Sequence, residues 1–119
     1  MSQIVLDSGV AGNRKTLMLI SRMGWAELEA VGRLTLFFGW CADQAEDGDL
    51  RRFNDSVLAA AAKLPATHGK KFIDALVDIS FLERRPYFRI RNWWDWQGVV
   101  LREKYKREPA AWHRIRDLY

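Results

Sequence analysis

The chain has 119 residues, 49% hydrophobic and 29% charged, with a formal net charge of +4. That length fits one domain and excludes folds such as the TIM barrel, which need about 250 residues. The composition is that of a globular rather than a disordered protein, and its basic balance permits an anionic partner without naming one.

Residues 1–13 show no basic head followed by an apolar stretch, so no secretory signal is expected. Ile4-Val5-Leu6 is a short apolar run ending in the turn signal Asp7-Ser8-Gly9. A helix is predicted over 13–23, with Leu17, Ile20 and Met23 inward and Gly24 as its stop. A second helix is predicted over 25–44. Leu28, Val31, Leu34, Phe38 and Cys41 form its apolar stripe, and Leu36, Phe37 and Trp40 extend around it, the pattern of a central helix. Its longest apolar run, 34–42, falls well short of the ~20 residues of a membrane span. Cys41, the single cysteine, reads as a small core residue in a reducing compartment, and a cytoplasmic location without a membrane partner is expected.

Asp43 to Asp49 reads as an acidic turn, and residues 50–53 as a short strand. Asn54 or Asp55 can cap a third helix running to Leu64, with Val57, Leu58, Ala61 and Leu64 inward, and Pro65 ends it. A fourth helix is predicted from Thr67, with Phe72, Ile73, Leu76 and Ile79 inward and Lys70, Lys71, Asp74 and Asp78 outward. Residues 81–85 and 87–91 read as a tight hairpin around Pro86. After the aromatic run 92–96, residues 97–107 look helical, and Pro109 can open a last turn.

This order predicts an α+β, mostly α fold: a winged helix-turn-helix with a three-stranded wing sheet and an added C-terminal helix. Residues 1–98 would form the winged-helix domain, and 99–119 a basic helical extension packed on it.

Several segments carry a family resemblance. They are Arg33-Leu34-Thr35-Leu36-Phe37-Phe38-Gly39-Trp40, Asp47-Gly48-Asp49-Leu50, Phe72-Ile73-Asp74-Ala75-Leu76-Val77, Phe81-Leu82, Tyr87-Phe88-Arg89-Ile90, Asn92-Trp93 and Gln97-Gly98. In this order, over residues 13–98, the chain resembles small winged-helix proteins of phages and prophages, which are similar to the N-terminal domain of DnaD-type replisome organisers. The resemblance implies DNA binding or self-association during the initiation of replication. Ser80 stands where that family usually has glycine. The family's C-terminal single-strand-binding domain has no counterpart here, so helicase loading is not expected of this chain.

The charge is uneven. Residues 83–119 hold 10 Lys or Arg against 5 Asp or Glu, whereas residues 1–82 hold 9 against 10. Phosphate binding needs several cations on one surface, because each contact releases counterions. The expected DNA contacts are Arg84 and Arg85 at the wing tip, Lys70 and Lys71 at the start of the fourth helix, and Arg102, Lys104, Lys106 and Arg107 in the extension. Arg51, Arg52 and Lys63 are lesser candidates. Asp74 and Asp78 on the fourth helix weigh against base reading there, since acids beside phosphates repel them. At least two of Trp93, Trp94 and Trp96 fit bracing of the wing base, with an indole N–H meeting a carbonyl, better than stacking on bases, and the third fits a dimer contact.

Other chemistry is poorly supported. Gly9 to Thr16 has the spacing of a phosphate-binding P-loop, but Arg14 stands where glycine is required before the lysine. Asp43, Glu46, Asp47 and Asp49 lack Ca²⁺-loop spacing, and His68 and His113 lie in no ligand or catalytic pattern. No enzyme, cofactor or metal is therefore expected. The sequence points to a homodimer on double-stranded DNA, in replication initiation or its control, with replication proteins as further partners. A protein-interaction and oligomerisation module without DNA binding, or a transcriptional repressor, is the alternative.

Overall fold

The structure is a computed structural model and describes residues 14–93. Helix α1 (Arg14–Met23) is followed by the long α2 (Glu27–Gln44), α3 (Asp55–Ala61), a 3₁₀ turn (Ala66–His68) and α4 (Gly69–Asp78). Strands β1 (Leu82–Glu83) and β2 (Arg89–Ile90) close the described chain as an antiparallel pair, with Leu82 opposite Ile90 and Glu83 opposite Arg89. The Arg85–Pro86 peptide between them is cis. The molecule is thus mostly helical with a small two-stranded sheet. The predicted helix over 97–107 and the extension 99–119 lie outside the described residues.

Each helix ends for a local reason. Gly24 adopts φ 70 and its N–H reaches back to the Ile20 carbonyl, stopping α1 as predicted. The Asn54 side chain accepts the Val57 N–H and so caps α3. That helix stops at Ala61, short of the predicted Leu64, because Lys63 turns left-handed at φ 62. The Lys63 and Leu64 N–H groups then return to the Ala60 and Ala59 carbonyls. Arg33 donates to the carbonyls of Ala62 and Lys63 at 2.9 and 2.8 Å, satisfying groups that the helix end leaves open. The same turn recurs after α4. Ser80 takes φ 74, and the Ser80 and Phe81 N–H groups bond the Val77 and Leu76 carbonyls.

Thr67 lies in the 3₁₀ turn rather than in α4, which begins at Gly69. Here α3 and α4 approach closely. A Cβ at Gly69 would stand 2.7 Å from the Asp55 carbonyl oxygen, inside van der Waals contact.

The core lies between α2, α3 and α4 and under the hairpin. Phe37 packs edge-on against Phe38 and Phe72, and Phe38 meets Phe81. All four predicted inward residues of α4, Phe72, Ile73, Leu76 and Ile79, are buried. Burying one such side chain is worth about 1.5–3 kcal/mol, so this cluster dominates the fold.

Elsewhere the predicted faces rotate. On α1 the buried residues are Thr16 and Leu19, while Leu17 is half exposed. On α2 the inward face is Ala30, Leu34, Phe37, Phe38, Cys41 and Ala42. Leu28 is 86% exposed and Leu36 45% exposed, so α2 is not enclosed on all sides. The Phe37–Phe72 contact sets its rotation, and at 100° per residue Leu28 and Leu36 then turn outward. Val57 on α3 is likewise 41% exposed.

The predicted strand over 50–53 does not form. Asp49 makes an isolated antiparallel bridge to Arg89, and the chain then turns at Arg51 and Arg52. The turn wins because the Asp49 carboxylate accepts both the backbone N–H and the guanidinium of Arg51, while the Phe53 N–H returns to the Leu50 carbonyl. Gly48 and Leu50 still bond the second strand: the Ile90 N–H reaches the Gly48 carbonyl and the Leu50 N–H reaches that of Phe88.

Trp93, directly after the sheet, is 1% exposed, and its indole N–H donates to the Glu46 carbonyl at 2.6 Å. It fastens the end of β2 to the loop that follows α2, the bracing role predicted for this tryptophan. Trp94 and Trp96 lie outside the described residues.

Candidate nucleic-acid interface

The outer stripe of α4 carries Lys70, Asp74 and Asp78 at four-residue spacing, with Lys71 beside them. Alone, this helix face would be neutral. Neighbouring elements change that balance. The Asp74 carboxylate is shared by Lys70, at 3.5 Å on the same helix, and by Arg84 just past β1, at 3.0 Å. Asp78 is held by Arg22 from the last turn of α1, at 2.8 Å. Both acids that weigh against base reading on α4 are therefore paired with cations, and Lys70, Lys71, Arg22 and Arg84 outnumber them on this face.

The sequence-predicted cations separate by what occupies them. Arg84 is held by Asp74 and also lies over the Phe88 ring, 5.3 Å from its centroid. Arg51 donates to both carboxylate oxygens of Asp49 and lies over the Tyr87 ring, 4.2 Å from its centroid. That side-chain bond, with burial opposing it, holds the Asp49 carboxyl below the usual carboxylate range. Arg52 donates to the Gln44 carbonyl at 2.8 Å, capping α2. Lys71, Arg85 and Lys63 are exposed and enter no ion pair among the described residues. Arg102, Lys104, Lys106 and Arg107 lie outside the described residues.

Arg89 belongs to the basic wing half of the sequence without being singled out there as a contact. It bonds Glu83 across the two strands at 2.7 Å and approaches the Tyr87 ring from 5.1 Å, so that ring meets both Arg51 and Arg89. Burial opposes the charge of Arg89, but bonds with Tyr87 and Glu83 hold its guanidinium above its ordinary range. These cations rigidify the hairpin rather than offering open charge.

A second basic locus escaped the sequence reading. Arg14, Lys15 and Met18 of α1, Asp78, Ile79 and Ser80 at the end of α4, and Arg91 and Asn92 after β2 line a groove of about 380 Å³. Lys15 donates to the Ser80 carbonyl at 3.0 Å and lies over the Phe81 ring. Burial and the nearby Arg91 charge both lower its pKa. The sequence signals here are the Arg14-Lys15-Thr16 end of the P-loop-like run and Arg91 in the basic wing half, which nothing in the spacing brings together. In the structure those residues belong to a helix, and the described residues contain only a two-stranded antiparallel sheet, not the parallel strand–loop–helix unit of a P-loop.

The acidic turn after α2 is internally occupied. Asp47 accepts the Asp49 N–H, and Asp49 is bound by Arg51. No group of three or more potential metal ligands occurs among the described residues, and no described helix is long and apolar enough to cross a membrane.

Comparisons with family models, curated proteins and solved structures give no match to this chain.

Proposed function

We propose that the protein is a winged-helix DNA-binding protein of the phage type, acting as a homodimer on duplex DNA in replication initiation or its control. In this reading α3 and α4 are the helix-turn-helix, β1 and β2 are the wing, and the segment 48–50 along β2 serves as the third strand. The carrying observation is the neutralisation of Asp74 and Asp78 by Arg84 and Arg22, which leaves α4 with a net basic outer face. Lys71 and Arg85 supply phosphate contacts not engaged in ion pairs with other described residues. Lys70 and Arg84 add to the field, and the sequence carries a further basic run at Arg102, Lys104, Lys106 and Arg107. Such contacts position the protein on the backbone and carry no base specificity by themselves.

Binding of labelled duplex across a salt series tests the proposal. Affinity should fall steeply with salt, with a slope near −0.9 for each phosphate neutralised. Absence of duplex binding at low salt would overturn it.

The second reading, an oligomerisation module that meets a protein partner, is favoured by Leu28 and Leu36. They leave apolar surface on the outer side of α2. In that case duplex binding is absent, and Leu28→Glu disrupts self-association.

A further inference from the structure

The groove between α1, the end of α4 and the end of β2 holds three cations drawn from segments far apart in sequence. Arg14 and Lys15 come from α1 and Arg91 from the residue after β2. Arg14 and Arg91 have no carboxylate partner among the described residues. Among the described lining residues the one carboxylate, Asp78, is already bonded to Arg22 at 2.8 Å. Lys15 is directed across the groove wall to the Ser80 carbonyl, so its ammonium is fixed rather than swinging in solvent. Among the described residues, the unbalanced charge of this open concavity is positive. The two guanidinium groups in its lining carry paired N–H donors of the kind that bind a tetrahedral anion.

We propose that this groove is a phosphate site and that its occupant is a backbone phosphate of the duplex bound along α4. The inference rests on the DNA-binding reading above. Asp78 supplies the link, since it belongs both to the outer stripe of α4 and to the groove lining. The groove therefore continues the helix face, and a strand crossing α4 would bring a phosphate to Arg14 and Arg91. Two arginines without carboxylate partners give up no ion pair with described residues when the phosphate arrives, in contrast to Arg84 on the hairpin.

Two measurements on the full chain test this. In fluorescence anisotropy with a labelled duplex, Arg14→Ala combined with Arg91→Ala should weaken binding about tenfold and flatten the salt slope by about 0.9, the share of one phosphate. Thr35→Ala, at an exposed position of α2 outside the groove lining, should change neither. Melting followed by circular dichroism should show the double variant folded. Unchanged affinity and slope in the folded double variant would overturn the groove as a DNA contact.

The second measurement is titration with inorganic phosphate followed by ¹H–¹⁵N NMR. It should shift the Nε–H signals of Arg14 and Arg91 and the backbone amides of Ser80 and Asn92 together, and the double variant should lose the amide shifts. If no duplex binds but these shifts appear, the DNA reading fails and the site binds free phosphate instead. If phosphate moves none of these signals, the site itself is refuted.

Discussion

The basic surface of this protein has two regions that look alike in sequence and differ in structure. Around the hairpin, Arg51, Arg84 and Arg89 each close on a carboxylate and lie over an aromatic ring. At the groove, Arg14 and Arg91 have no such partner among the described residues. A cation already paired must break its pair to bind phosphate, so part of the new contact is offset; an unpaired one exchanges only water and counterions. Basic residues counted along a sequence therefore overstate what the hairpin offers and understate the groove.

The largest test removes the anchor common to both regions. Trp93→Ala deletes a buried indole and its bond to the Glu46 carbonyl beside Arg91 and β2. Chemical denaturation should show a loss of about 3–5 kcal/mol. A loss below about 1 kcal/mol would mean that the hairpin is held from elsewhere.

Next in size is the separation of paired from unpaired cations. Lys71→Ala with Arg85→Ala should weaken duplex binding about tenfold, or about 1.4 kcal/mol, with folding unchanged. Arg89→Ala should do the reverse, costing about 1 kcal/mol of stability through the loss of Glu83 and little affinity. Equal losses of affinity in the two proteins would erase the distinction.

Ser80→Gly sharpens it further. Ser80 holds φ 74, where a side chain is disfavoured, and its carbonyl receives Lys15 at the groove. Glycine should raise stability by about 1 kcal/mol, read as a higher denaturation midpoint, without altering duplex affinity.

The smallest effect is in acid. Because Arg51 lowers the folded-state pKa of Asp49, this carboxylate contributes stability above its unfolded pKa of about 3.9. That contribution is lost as pH falls through the depressed folded value. Asp49→Asn should remove this part of the acid decline, giving a shallower melting-temperature curve below about pH 4 while lowering stability at neutral pH.

Much of the architecture was legible because its determinants are local. Gly24 and Asn54 punctuate the helices, and Phe72, Ile73, Leu76 and Ile79 have the period of one buried face. The strand over 50–53 was misread because alternation alone does not reveal that Asp49 would capture Arg51 and bend the chain. The rotation of α2, which exposes Leu28, is set by the Phe37–Phe72 contact between helices, and periodicity does not specify that partner. The site was harder still. Arg84 and Asp74 are ten residues apart, and Arg91 reaches the groove from the far end of the described chain, so neither relation has a signature in spacing.

The close approach at Gly69 has a mechanical consequence. The angle between α3 and α4 depends on a carbon atom that is not there, since a methyl group at this position would press on the Asp55 carbonyl from 2.7 Å. Alanine at 69 would therefore act as a wedge between the two helices, opening their angle while leaving every charge on the surface unchanged. Shape and charge, entangled in every arginine substitution, become separable at that one position.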